Sequence, residues 1–204
     1  LLKAVDNANK PFRYSVLNLA EKTGDISATR QWIAKAKTSN DEIKAEIIDM
    51  LGRRGDELAV DLVNENLNSA SETVRAESIN ALLKLKGKAA AADLIGHLAK
   101  GQDIEVAKTA LLQLLDQKHL APVATQLGKT SGKTKAAFID LIAAKSGSQY
   151  FNPVLAATSS SDSDEKAAAF KALKRVSSYE NVDDILKLLL SVSGETEITE
   201  TQMA

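Results

Sequence analysis

The chain has 204 residues, and its 26 Lys and Arg against 27 Asp and Glu give a formal net charge of −1. Hydrophobic residues make up 44% and charged residues 26%, which is ordinary globular usage and excludes a wholly disordered chain. Apolar runs are only a few residues long, far short of the ~20 that span a bilayer. The absence of cysteine excludes disulfides, thiolate metal sites and cysteine nucleophiles. The compartment stays open between cytoplasmic and periplasmic or secreted, because either redox environment accepts such a chain.

Apolar residues recur along the chain at intervals of 28 to 32 residues. Each is followed three residues later by a second small or apolar residue, which is the spacing of one face of a half-buried helix. Glycines stand where the first three of these helices should end, and glycine suits a left-handed C-terminal cap. The pattern predicts six first helices, centred on Leu17, Ile48, Ile79, Leu111, Ile139 and Phe170.

A second apolar series follows the first by about 15 residues and predicts six second helices, marked by Ile33, Val63, Ile95, Ala124, Leu155 and Leu186. No stretch alternates β-branched and aromatic residues between hairpin turns, so no strand is expected. Two helices alone cannot bury their apolar faces, whereas stacked pairs form a continuous core. The predicted fold is therefore all-α, an α-α superhelix (solenoid) of about six helix pairs.

The two series define one predicted repeat array over residues 1–192. Leu1 and Leu2 lie 31 residues before Trp32 and Ile33, so residues 1–9 are interpreted as the tail of a truncated earlier unit in a fragment of a longer protein. Residues 193–204 form a polar C-terminal tail or linker, or the capped start of another helix. The six units are approximately 10–39, 40–70, 71–101, 102–131, 132–161 and 162–192. N-capping pairs are expected at Ser39 with Glu42, Ser69 with Glu72, and Asp162 with Glu165.

Helix pairs of this period, with a polar start and Leu-Gly or Gly-Asp at the joint, resemble the short bacterial type of HEAT repeat. The resemblance covers nearly the whole chain and implies a HEAT/armadillo-like scaffold that binds partners along its inner face. In bacteria such arrays often adjoin other domains, including carbohydrate-active enzymes. Tetratricopeptide repeats fit less well because their period is about 34 residues. The best unit runs from Asp41 to Ala70 and carries Ile43, Ala45, Ile48, Leu51, Gly52, Ala59 and Leu62.

Local motifs indicate no catalytic, metal or cofactor site. Gly-Lys-Thr occurs at 128–130 and 132–134, but a phosphate-binding loop needs four residues between its glycines and a preceding strand, and here three residues intervene. His97 and His119 are the only histidines and are too far apart in sequence for a helical metal-binding pair. We therefore expect no enzymatic activity from this segment, while that of the parent chain stays open.

The polar face of the second helices is the predicted partner surface. Within one helix, four residues follow the i, i+3, i+4, i+7 spacing of a shared face: Asp61, Asn64, Glu65 and Asn68. The next two units contribute Asp93, His97, Lys100, Gln126 and Lys129 to the same predicted surface.

Three functions are predicted, in order of preference. The first is a non-catalytic scaffold in a larger bacterial protein, binding a protein or positioning an adjacent domain of the same chain. The second is an accessory domain of a multidomain enzyme, such as a carbohydrate-active hydrolase. The third is a nucleic-acid-binding module, disfavoured because the lysine-rich stretch from Lys118 to Lys145 contains no Arg and no free stacking aromatic. The oligomeric state is not predicted.

Overall fold

The computed structural model describes all 204 residues, and every regular element is helical. The first helices of the six pairs are α1 (Lys10–Lys22), α3 (Asp41–Arg54), α5 (Glu72–Lys86), α7 (Ile104–Leu114), α9 (Gly132–Ala144) and α11 (Ser163–Val176). The second helices are α2 (Ile26–Thr38), α4 (Val60–Asn66), α6 (Ala91–Ala99), α8 (Ala121–Gln126), α10 (Phe151–Ala157) and α12 (Val182–Ser191). A further helix, α13 (Glu195–Gln202), follows them. None of these helices combines the length and apolar character needed to cross a bilayer.

The chain divides into two compact units, Leu1–Leu94 and Ile95–Ala204. In the first unit, α1 packs on α3 and α3 on α5; in the second, α7 packs on α9 and α9 on α11. Four second helices, α2, α4, α8 and α10, each pack on the first helix that follows them. Within each unit this is the packing of stacked helical repeats, in which a repeat contacts its neighbours. The predicted all-α fold of helix pairs is confirmed.

The core of the first unit consists of the predicted positions of the first helices. Leu17, Ile48 and Ile79 are fully buried, as are Leu51 and Leu82 one turn later. Burying a Leu or Ile side chain stabilises a fold by about 1.5–3 kcal/mol, so this stripe is the main source of stability.

Helices α3 and α5 approach each other closely at Gly52. A Cβ atom added there would lie 2.7 Å from the Cα atom of Ala81 on α5. No real side chain fits at that distance, so glycine at this position fixes the separation of the two helices.

Arg54, at the end of α3, caps the C-terminal end of α1, the preceding first helix. Its Nε donates to Thr29 Oγ1 at 2.9 Å, and the Thr29 hydroxyl donates to Asp56 Oδ2 at 2.7 Å. The hydrogen bond from Thr29 lowers the pKa of Asp56. The Arg54 Nη atoms donate at 2.6–3.0 Å to four backbone carbonyls at the end of α1 and the joint that follows it: Ala20, Thr23, Gly24 and Asp25.

The core of the second unit follows the same register. Leu111, Ile139 and Ile142 are fully buried, and Phe170 is 3% exposed. Residues 195–202 form α13, which packs on α11 and buries Thr201. Of the alternatives considered for residues 193–204, the structure has a helix, at residues 195–202.

Helix starts use the predicted chemistry, in two cases at shifted residues. Asp162 caps α11 as predicted, accepting from two backbone N–H groups of its first turn at 3.0 Å. Ser39 and Ser69 do not cap the next helices; Asn40 caps α3 and Ser71 caps α5. These caps lie one or two residues later and also offer a short side-chain oxygen.

In four of the six second helices the predicted residue lies outside the buried face, whereas Val63 and Ile95 are buried. Ile33, Ala124 and Leu155 are only half-buried, and Leu186 is 51% exposed. In each helix, neighbouring residues differ in direction by about 100°, so a one-residue error moves a position to the edge of the buried face. The residues one position earlier in the first five units are buried: Trp32, Leu62, Leu94, Val123 and Val154.

Candidate functional site

Asp61 and Glu65 form an exposed acidic patch on α4, on the predicted polar face. Glu65 lies 3.8 Å from the Nζ of Lys37 on α2, and their side chains are 63% and 55% exposed. An ion pair this exposed contributes little to stability. The patch is therefore free to change partners.

Asn64 and Asn68 were predicted on the same face, but the structure separates them from it. Asn64 is half-buried, and its side-chain Oδ1 is buried without a hydrogen-bond partner. Helix α4 ends at Asn66, and Leu67 turns into the core with 6% exposure. Asn68 is exposed beyond that end, where helical spacing no longer applies.

His97 is not on the polar surface, which corrects its predicted place there. It is 2% exposed, and its Nε2 lies 3.0 Å from Oδ2 of Asp103, whose side chain is also buried. Helix α6 buries a wider face than the pattern indicated, because Leu94, Ile95 and Leu98 all point inward. His97 therefore closes the turn between α6 and α7 and is not available to a partner.

The remaining predicted residues differ in their exposure and in their contacts. Asp93 Oδ2 forms an ion pair with Lys86 Nζ at 2.6 Å, and Gln126 is half-buried at the end of α8. Of the nine predicted partner-binding residues, five are exposed: Asp61, Glu65, Asn68, Lys100 and Lys129. Their role in binding stays a prediction.

A surface groove on the first helices of the second unit was not predicted. It runs along α9 between α7 and α11 and has two adjoining parts of about 530 and 560 Å³, which share Lys108, Asp140 and Lys171. We call it the α9 groove. Seven of its 17 lining residues are alanines, and eight are charged; the alanines are Ala136, Ala137, Ala143 and Ala144 of α9 and Ala167, Ala168 and Ala172 of α11.

Lys108 on α7 forms an ion pair across the α9 groove with a carboxylate on α9. Its Nζ lies 3.1 Å from Glu105 on the same helix and 3.3 Å from Asp140 on α9. Burial opposes the charge of Lys108, but these two carboxylates outweigh it and raise its pKa. The ammonium group therefore stays protonated where the two parts of the groove meet.

Glu165 ties the start of α9 to α11 at one end of the groove. Its Oε1 accepts the Gly132 N–H at 2.6 Å, and its Oε2 accepts from the Ser160 hydroxyl at 2.8 Å and lies 3.1 Å from Lys135 Nζ. Burial works against the charged carboxylate, but these three donors prevail and lower the pKa of Glu165. Lys135 is thereby fixed inside the fold.

The equivalent face of the first unit is filled by an ion-pair chain. Arg53 on α3 lies 3.1 Å from Glu21 on α1 and 3.3 Å from Asp49 on α3, and Asp49 lies 3.1 Å from Lys84 on α5. The repeat register places Ala144 where Arg53 stands. The replacement of a long side chain by a methyl group leaves the space open in the second unit.

The lysines that suggested a nucleic-acid surface do not act together. Lys135 pairs with Glu165, and Lys145 donates to the backbone carbonyl of Leu112 at 2.7 Å. No group of three or more His, Cys, Asp or Glu residues is arranged to hold a metal ion.

A family model described as HEAT repeats matches residues 29–115. Among solved structures, the complex of CpcE and CpcF of phycocyanin lyase from Nostoc sp. PCC7120 is similar at 16% identity and a TM-score of 0.47, covering 99% of this chain and 91% of that chain. Human deoxyhypusine hydroxylase in complex with glycerol is similar at 12% identity and a TM-score of 0.45, covering 98% and 92%. No curated protein sequence matches the chain. From its repeat period, its helix pairs and the family match over residues 29–115, the chain is a HEAT-like helical-repeat protein.

Proposed function

We propose that this chain is a non-catalytic scaffold that binds a protein partner or positions a neighbouring domain of a larger protein. The observation that carries the proposal is how the apolar residues are used. The repeat positions of the first helices lie in the core, while charged side chains and open grooves occupy the surface. Stacked repeats of this kind offer extended binding surfaces.

The surroundings of the titratable side chains favour a binding role over catalysis. His97 and Asp103 form a hydrogen-bonded pair, but both side chains are buried, at 1% and 3% exposure. The other histidine, His119, pairs with Asp116 on a half-exposed turn, with no nucleophile in its sequence neighbourhood. A general base must lie within hydrogen-bond reach of its substrate, so the buried His97–Asp103 pair is not placed for that role.

Site-specific photo-cross-linking in the native cells tests the proposal. A photoreactive amino acid is placed at Glu65 on α4, at Lys129 after α8, or at Lys171 on α11, all of which are exposed. We expect one protein to be cross-linked reproducibly from at least one position, and competition by untagged chain to remove the adduct. The matched control carries the photoreactive residue at Lys22, at the exposed end of α1. Absence of a competable adduct from all three positions would refute the scaffold proposal.

A further inference from the structure

The α9 groove has the length of a short helix. Its lining on α9 runs from Lys133 to Ala144, about 17 Å at 1.5 Å per residue, or roughly three helical turns. Each part of the groove has a volume of more than 500 Å³, and seven of the lining residues are alanines. A channel of these dimensions accepts apolar side chains that project at i, i+3, i+4 and i+7 from a helix lying along it.

The rim of the α9 groove carries unneutralised positive charge. Lys133 on α9 and Lys171 and Arg175 on α11 are exposed, and none has a carboxylate within ion-pair distance. Among the acidic residues of the lining, only Asp164 is likewise without an ion pair, whereas Glu105 and Asp140 are held by Lys108. Three free cations against one free anion favour an acidic partner.

The first unit provides an internal comparison, because the same face there has the opposite properties. The corresponding pocket is only about 100 Å³ and is lined by four carboxylates, Glu42, Glu46, Asp49 and Glu77, with one lysine. Arg53 fills the space that Ala144 leaves open in the second unit. The groove and its charge are therefore not general properties of the repeat. They arise because certain residues of the second unit differ from those at the same repeat positions in the first unit.

We infer that the α9 groove is the docking site for an acidic amphipathic helix of a protein partner. Apolar residues of that helix lie on the alanine floor, and its Glu or Asp side chains pair with Lys171, Arg175 and Lys133. The inference rests on the proposed scaffold function and names the site and the chemistry of the partner.

A nucleic-acid strand fits the α9 groove less well. No aromatic side chain lines either part of the groove to stack on a base. An apolar floor with a charged rim instead matches a protein segment, whose binding combines burial with ion pairing.

The test uses the full chain and a displayed library of designed helices of about 14 residues, which span roughly 21 Å. Apolar positions on one face are varied among Ala, Leu and Met, and flanking positions among Glu, Gln and Lys. We expect selection to enrich Glu at the flanking positions. The selected peptides, labelled with fluorescein, are then titrated by fluorescence anisotropy against the chain and its variants.

Two variants separate docking in the groove from general electrostatic attraction. K171E with R175E removes the positive rim, and A144R places in the groove the side chain that fills the first unit. We expect both to weaken peptide binding at least ~10-fold, although A144R adds a positive charge. The matched control K22E reverses an exposed lysine of the first unit and should leave binding unchanged within about twofold. Circular dichroism confirms that each variant is folded.

Several outcomes would overturn the inference: enrichment of Lys at the flanks, no enrichment of any helix, or A144R binding as tightly as the unchanged chain. A single-stranded oligonucleotide that competes as well as the selected peptides would overturn it in favour of nucleic acid.

The cross-linking experiment keeps the two proposals distinguishable. If a partner is cross-linked from Glu65 or Lys129 while no helix is selected, the scaffold function stands and the groove assignment fails. If a helix is selected but no partner is cross-linked in cells, the groove binds such helices in solution and the scaffold function fails.

Discussion

Replacing Arg13 with methionine should destabilise the first unit by about 3 kcal/mol. Arg13 on α1 is 3% exposed and bonds to both oxygens of Glu46 on α3, at 2.7 and 2.8 Å. It also donates to Glu42 at 2.6 Å and to the backbone carbonyls of Asn7 and Ala8 at 3.0 and 3.2 Å. Glu46 and Glu42 together raise the pKa of Arg13, so it remains charged at all accessible pH values.

The magnitude follows from what the substitution leaves behind. The Glu46 side chain is 6% exposed and would become a buried carboxylate without its partner, a situation that typically costs about 3–5 kcal/mol. Glu42 is 57% exposed and is rehydrated when Arg13 is removed, so it adds little. The lower end of the range is therefore expected.

Urea unfolding followed by tryptophan fluorescence measures this change. Trp32 is the only tryptophan and is buried in the same unit, so its signal reports on the unit that Arg13 stabilises. The double variant R13M/E46L removes both buried charges and should recover most of the loss. The matched control K37A breaks the exposed pair with Glu65 and should change stability by less than about 0.5 kcal/mol. If R13M unfolds like K37A, or if R13M/E46L is less stable than R13M, the buried pair does not act as described.

The other predictions concern packing and charge. Leu82→Ala should cost roughly 2–5 kcal/mol because it opens a cavity between stacked helices, whereas Asp61→Ala on the surface should stay within about 0.5 kcal/mol; equal urea midpoints would contradict the buried register. Gly52→Ala should lower the midpoint by pushing α3 away from Ala81, and an unchanged midpoint would show that the helices separate freely. Glu165→Gln should destabilise the second unit near neutral pH. Because the folded-state pKa lies below the ordinary 4.5, the difference from the unchanged chain should persist above that value and vanish as pH falls through the lowered pKa; a difference independent of pH, by circular dichroism, would refute this.

The first helices could be predicted because their signal is strong. Leu17, Ile48, Ile79, Leu111 and Ile139 recur at nearly constant spacing, and each is fully buried. Helices α3, α5, α9 and α11 each pack against at least two neighbouring helices, so their apolar stripes are wide and an error of one residue still falls inside them.

The second helices gave a weaker signal because most of them are shorter and bury a narrower face. Leu155 is apolar yet lies at the edge of that face, and Val154 beside it is the buried residue. Likewise, His97 was assigned to the polar face because of its chemistry, although its neighbours Ile95 and Leu98 are both buried. In the sequence, His97 stands between two core positions and has Asp103 six residues away as a partner. This combination was the available sign of its burial.

The α9 groove was missed because no single repeat contains it. It depends on which side chains from three successive first helices meet, and these lie about 31 positions apart in the sequence. The sign was present in the sequence: in the register that places Arg53 on α3, α9 has Ala144, and alanine also precedes it at Ala143. Reading each position across repeats shows where a long side chain has been lost.

Arg54 imposes an order on the maturation of the first unit during synthesis. Translation adds roughly 5–20 residues per second, so Arg54 joins the growing chain about 2–6 seconds after Thr23. During that interval the carbonyls of Thr23 and Gly24 lack the Arg54 donor, and the carbonyl of Ala20 has only the Thr23 N–H as a partner. The first repeat therefore acquires its finished form only when the following repeat has left the ribosome, and a pause in translation before Arg54 would expose it longest to proteases and chaperones.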